Sequence, residues 1–257
     1  MTRVTLDVEP AYDVRQRVFE GLSWDALFEH FDAVSASADS VSVFTRWRDR
    51  TDQVWLKTRV TDEPEQVRTE FFGAPAATVE RHPIPGGDPA GSTPQLGAPG
   101  LWCDRLPHFR MEFTPSSGAE IQSEYFVARR DAVAAIRATL AVAGAIRPVL
   151  QVSEIRTIAA DELWMSPQYG QDTIGLHFTW KPDQEGVERA LVEVEAALAP
   201  LAARPHWGKA FLAEAATVAP HYERLPDFVG LVERFDPRGA FRNRWLERRV
   251  LGGVGAP

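Results

Sequence analysis

Most of the strand-like segments in this chain alternate apolar with polar residues, and that period limits the fold more than any other sequence feature. Val4-Thr5-Leu6-Asp7-Val8 alternates in this way, as a half-buried strand does. The runs 40–47, 54–60, 109–113, 119–127, 148–158 and 173–180 read as further strands. A parallel sheet covered on both faces would show continuous apolar runs instead. Helical stretches lie between them. Ser23 precedes Trp24, Leu27, Phe28 and Phe31, which are spaced along one helix face with Ser23 as the N-cap. The Ala-rich stretch 131–143 is helical by propensity and is expected to end at Gly144. Residues 183–198 form an amphipathic helix with Val187, Leu191, Val194 and Leu198 on one side. Shorter helical pieces fall around 227–235. The combination predicts an α+β fold, an antiparallel sheet with helices packed mainly on one face.

Two segments interrupt this pattern. Pro115-Ser116-Ser117-Gly118 reads as a turn. From His82 to Pro107 the chain is dominated by Pro and Gly, as expected of a functional or mobile loop rather than a domain linker. There is no internal repeat. With 257 residues the chain can bury a substantial core without covalent staples. Its 28 basic and 36 acidic side chains leave a formal charge of −8, which argues against general nucleic-acid binding. The single cysteine, Cys103, excludes an intramolecular disulfide and a multi-cysteine zinc site, and reads as a tolerated thiol rather than a nucleophile. No apolar run approaches the ~20 residues that span a bilayer, and Met1 to Tyr12 lacks the apolar stretch of a signal peptide. The expectation is a cytoplasmic protein without membrane or nucleic-acid partners.

Familiar catalytic motifs are missing. No GxGxxG follows a strand, and Gly208-Lys209 is followed by Ala210 where a P-loop needs a hydroxyl. His30, His82, His108, His177, His206 and His221 include no pair at helical ligand spacing, so no metal is expected.

The informative residues lie in two strands. Glu154 and Arg156 are two apart and share a face with Val152, with Ile155 on the other side. His177 and Thr179 share a face, while Leu176, Phe178 and Trp180 occupy the opposite one. If the two polar faces meet, they form a pocket with a carboxylate acceptor, guanidinium donors, an imidazole and a hydroxyl. Such an array suits a ligand with several hydroxyl groups. The competing reading is a solvated sheet face carrying an ion pair. A second cluster, Arg204-Pro205-His206-Trp207-Gly208-Lys209, offers a close backbone approach at Gly208 and a point charge at Lys209. An aromatic turn with a surface lysine fits it equally well. Arg242, Arg244, Arg248 and Arg249 make a basic C-terminal stretch, read either as a solvated end or as a contact to a partner or to FAD phosphates.

Taken in order, SEIRTIAADELWMSP, HFTW, RPHWGKAF and DPRGAFRN resemble the C-terminal half of FAD-dependent alditol (xylitol/sorbitol) oxidases. These belong to the aldonolactone oxidase group of the vanillyl-alcohol-oxidase-type flavoproteins. SVSVFTRW, VWLKTR and LPHFRMEFTPSSGAEIQSEYF extend the resemblance over nearly the whole chain. It implies that Glu154, Arg156, His177 and Thr179 bind polyol hydroxyls. It further implies that Lys209 acts catalytically beside the flavin's pyrimidine edge, with His206 and Asn243 also on the cofactor side. The implied reaction oxidises a polyol to an aldose and passes electrons to oxygen, giving hydrogen peroxide. Residues 1–257 would then be a single substrate-binding (cap) domain, with the tail 236–257 toward the flavin domain. The FAD-binding domain of a complete family member is expected to be absent from the chain, so that a separate FAD-binding chain would be its partner. An aldonolactone substrate, or a non-catalytic polyol-binding module, are the alternatives.

Overall fold

A computed structural model describes residues 3–62, 67–113 and 119–253. The chain forms two compact units, one from 3–42, 51–62 and 67–113, the other from 43–50 and 119–253, and it passes between them within a strand. The turn expected at Pro115 to Gly118 lies outside the described residues.

The first unit contains β1 (Asp13–Glu20), α1 (Trp24–Glu29), α2 (Phe31–Ser35), the start of β2 (Ser40–Thr45), β3 (Gln53–Arg59), β4 (Glu70–Phe71), β5 (Ala74–Pro75) and β6 (Gly100–Leu101). β1 pairs antiparallel with β3, from Val14 opposite Arg59 to Glu20 opposite Gln53, and its first residues pair with β6. Ser23 caps α1 as expected, its hydroxyl accepting from the Ala26 amide at 3.2 Å. The helix stops at Glu29, however, and Phe31 opens α2.

Two expected strands are not formed. Val4 to Val8 runs without regular structure, and Val4, Leu6 and Val8 are exposed, because alternation without a pairing partner satisfies neither backbone nor side chains. The strand instead begins at Asp13, where a buried polar residue, Gln16, interrupts the apolar pattern. Phe109 to Phe113 contributes one isolated bridge, Phe109 to Ser92, and then turns.

The Pro/Gly segment is packed rather than free-standing. Gln16 Nε2 donates to the Thr93 carbonyl at 3.0 Å and its hydroxyl at 3.1 Å. Arg81 and Gln95 exchange two hydrogen bonds, at 2.8 and 2.5 Å. Lys57, fully buried, donates to the Leu106 carbonyl. These side chains supply partners that a loop without a ladder would otherwise lack.

The second unit contains the end of β2, β7 (Ile121–Ala128), α3 (Ala132–Ala141), α4 (Ala143–Ile146), β8 (Leu150–Ile158), β9 (Thr173–Trp180), α5 (Gln184–Leu198), β10 (Arg204–Pro205), α6 (Ala215–Val218), α7 (Leu225–Phe235) and α8 (Arg244–Arg249). Gly144 does not end the Ala-rich helix; it lies inside the short α4. The strand order is β10-β7-β9-β8-β2, every pair antiparallel. The class is α+β, as the alternation implied.

One face of this sheet is its core. Leu176, Phe178, Trp180, Tyr125 and Ile155 are buried there, with α5 presenting Val187, Leu191, Val194 and Leu198. Trp180 stacks on Phe178 with ring centroids 4.9 Å apart, and Phe178 on Trp47 at 6.0 Å. The two indole nitrogens donate to buried serines, Trp180 to Ser123 at 2.8 Å and Trp47 to Ser153 at 2.7 Å. The Tyr125 hydroxyl donates to Glu195 of α5 at 2.7 Å. Burying a side chain such as Phe178 or Leu176 stabilises by roughly 1.5–3 kcal/mol, against about 0–1 kcal/mol for an exposed ion pair. The apolar face therefore decides the strand phase, and the polar residues take the opposite face by default.

Candidate functional site

Three strands set the site's rows. On that opposite face Glu124 of β7, His177 of β9 and Glu154 of β8 are directly in register. The row on one side is Gln122, Thr179 and Val152; on the other it is Phe126, Gly175 and Arg156. The polar pairs singled out from strand phase, Glu154 with Arg156 and His177 with Thr179, thus lie side by side on one surface.

Lys209 joins them from a loop. β10 pairs with β7, after which the His206 amide donates to the Glu124 carbonyl at 2.9 Å and the Ala210 amide to the Gln122 carbonyl at 2.8 Å. This zipper lays 206–210 along β7. The His206 ring holds the turn, its Nδ1 accepting from the Gly208 amide at 3.0 Å. Trp207 anchors the loop on the other side, donating to the Met165 carbonyl at 2.7 Å and packing on Tyr222, 4.9 Å between centroids. Lys209 Nζ then reaches Glu124 Oε2 at 2.8 Å.

Glu124 is the residue that the sequence reading missed. Only 2% exposed, it accepts at Oε1 from Arg156 Nε at 3.2 Å and Nη2 at 2.7 Å, while Oε2 takes Lys209. Arg156 Nη1 lies 3.5 Å from Glu154 Oε2. The signal was available: Gln122 and Glu124 make the same polar pair in β7 that Glu154 and Arg156 make in β8. Gly175 was also missed. A Cβ there would lie 3.0 Å from Glu124 Oε1, so the carboxylate would have to shift by a few tenths of an ångström to admit it.

The charges follow from the geometry. Burial by itself would raise the Glu124 carboxyl, but Arg156 and Lys209 outweigh it and hold it below the ordinary carboxylate value. Burial opposes the Arg156 charge, and Glu154 and Glu124 more than restore it. Burial and the Lys209 ammonium lower the His177 imidazole to about 4, against the pull of the two glutamates. His177 is therefore neutral at pH 7, with Nε2 3.4 Å from Gln122 Oε1. His206 is lowered by burial and Lys209. Beside this array opens a cavity of about 380 Å3 lined by Glu124, Arg156, His206, Phe126, Ile158 and Trp207, among others.

Asn243 stands at the start of α8, which its side-chain oxygen caps by accepting from the Leu246 amide at 2.9 Å. Much of the basic stretch is paired within the chain. Arg248 donates to Glu214 Oε1 at 2.9 and 2.8 Å, Arg242 lies 3.5 Å from Glu247, and Arg249 donates to the carbonyls of Leu212 and Ala213. Among the described residues no helix is long and apolar enough to cross a membrane.

Residues 121–249, from β7 through α8, match the family model described as D-arabinono-1,4-lactone oxidase. Over 254 residues, 98% of the chain, the sequence is 46% identical to the alditol oxidase of Streptomyces sp. (strain IKD472 / FERM P-14339), covering 60% of that protein. It is 36% identical over 107 residues to the L-gulono-1,4-lactone dehydrogenase of Mycobacterium tuberculosis, covering 41% of this chain and 24% of that one. The chain thus spans about 60% of the length of the alditol oxidase it matches.

Proposed function

Because the chain belongs to the D-arabinono-1,4-lactone oxidase family, we propose that it is the substrate-binding part of an FAD-dependent oxidase of sugar alcohols. Its reaction converts a polyol to an aldose and oxygen to hydrogen peroxide. The observation that carries this reading is the array Glu154, His177, Thr179 and Arg156 on one sheet face, combined with 46% identity to an alditol oxidase.

A polyol is neutral, and each hydroxyl needs both a donor and an acceptor. Glu154 accepts, Arg156 donates, and the neutral His177 ring and the Thr179 hydroxyl can each do both. A neutral His177 adds no third cation beside Arg156 and Lys209, which fits an uncharged ligand.

A flavin fits the donor set: Lys209 offers an ammonium held in position by Glu124 and only 17% exposed, and His206 lines the adjoining cavity. A bound flavin supplies the hydride acceptor. With that group bound, Lys209 would stabilise negative charge building on it, since a partly buried cation is worth more than one in water. Asn243 enters this reading only through its amide nitrogen, since its oxygen caps α8. We place the rest of the flavin-binding surface on a domain outside 1–257, in the same polypeptide or on a separate chain.

The family description and the gulonolactone dehydrogenase relative favour an aldonolactone as the second reading. The test has two stages. The chain is titrated with FAD by visible absorbance, alone and with a flavin-binding domain of the family, and peroxide is then assayed on xylitol, sorbitol and galactonolactone. Polyol-dependent peroxide from the reconstituted pair is expected. Turnover of the lactone alone would replace the polyol reading, and calorimetric binding of polyols without any turnover would make the chain a binding module.

A further inference from the structure

The geometry points to Glu124 as the positioning residue of this site, one buried carboxylate that holds Arg156 and Lys209 at once. The inference rests on the reading above, in which Arg156 and Glu154 meet the polyol and Lys209 the electron acceptor.

Arg156 has two carboxylates within reach, one on its own strand and one two strands away. Its Nε and Nη2 go to the distant one, Glu124 Oε1, at 3.2 and 2.7 Å, whereas Glu154 Oε2 lies 3.5 Å from Nη1. Nε and Nη2 lie on one edge of the planar guanidinium, so committing both to Glu124 Oε1 limits where the remaining nitrogen points. The crossing runs over Gly175, where a Cβ would lie 3.0 Å from Glu124 Oε1, 3.2 Å from Ile158 Cδ1 and 3.3 Å from Phe126 Cε1. Lys209 uses the other oxygen of the same carboxylate. One buried anion therefore sets the place of two cations from two different segments.

Removing that charge changes the balance in a definite way. Arg156 and Lys209 would be left as two neighbouring, partly buried cations without the carboxylate between them, and like charges repel. Glu154 is the carboxylate nearest to the released guanidinium. Arg156 would then be held by Glu154 alone, and the guanidinium that meets the polyol would lose its fixed place. Glu124 thus acts on the substrate through Arg156.

The test is made on the full chain with Glu124→Gln, which keeps shape and removes charge, and Glu124→Asp, which keeps charge. The first readout is solvent exchange of the Arg156 Nε–H resonance, which needs neither substrate nor flavin. Glu124→Gln is expected to speed it at least tenfold, with Glu124→Asp restoring part of the protection. The second is calorimetric affinity for xylitol, expected to fall at least tenfold in Glu124→Gln and to recover partly in Glu124→Asp, with circular dichroism unchanged. Unaltered Arg156 exchange overturns the proposal whatever the polyol does. Faster exchange with unaltered xylitol affinity overturns it as well. If the unsubstituted chain binds no polyol, the substrate reading fails, and the exchange measurement still decides whether Glu124 holds Arg156.

Discussion

Burial and the Lys209 ammonium hold the His177 ring at about 4, where an exposed imidazole sits near 6.5. Between those values the unfolded chain binds a proton that the folded chain refuses, so stability falls as pH drops from 6.5 to 4. That one residue accounts for about 3 kcal/mol across the window. In Glu124 the sign is the same for a different reason: its lowered carboxyl contributes stability above the ordinary carboxylate range, lost as pH falls through its folded value. Denaturant titrations across this pH range should show His177→Gln losing less stability than the parent chain between 6.5 and 4. Parallel curves would mean that the ring is not held neutral by the fold. Arg156→Ala belongs to the same scale. It removes a charged donor worth about 1.5–3 kcal/mol, so xylitol affinity should drop tenfold or more, and an unchanged calorimetric isotherm would remove Arg156 from the substrate site.

At the scale of elements, β9 and α5 were legible to within a residue or so because a period of 2 or 3.6 is a local property. β9 runs Thr173–Trp180 and α5 begins just after its cap, Asp183, whose carboxylate accepts from the Gly186 amide at 3.0 Å. The first strand was misplaced for an equally physical reason. Val4 to Val8 has the better alternation, yet among the described residues no strand pairs with it. Asp13–Glu20 has a polar residue at a core position, and that residue is one of those that tie the Pro/Gly loop down. Replacing Gln16 by Ala leaves the Thr93 acceptors unpaired in a buried place, at about 1–3 kcal/mol. Thermal unfolding of Gln16→Ala should shift down by several degrees. A melting temperature equal to that of the parent would show the loop to be held by other contacts.

Across the whole molecule, a chain of 257 residues with one cysteine is expected to hold its fold without a covalent staple. The one cysteine, Cys103, is exposed. Its replacement by Ser is expected to change stability by less than about 0.5 kcal/mol, and reductant to leave the melting curve of the chain where it was. A marked shift in either experiment would give the thiol a structural part. The faces of β8 and β9 could be assigned from sequence alone, because successive side chains of a strand point to opposite sides whatever the strand packs against. That put Glu154 with Arg156, and His177 with Thr179, on the polar face of each strand without showing that the two faces meet, and the ordered motifs pointed to the family. What the sequence could not order was the sheet itself. β7 lies beside β9, although α3, α4 and β8 come between them along the chain. Strand neighbours and register depend on which distant segments can bury their apolar sides together while pairing every backbone group. Only that long-range choice brings Glu124 opposite His177, opens the gap at Gly175, and lets one carboxylate gather an arginine from one strand and a lysine from a loop.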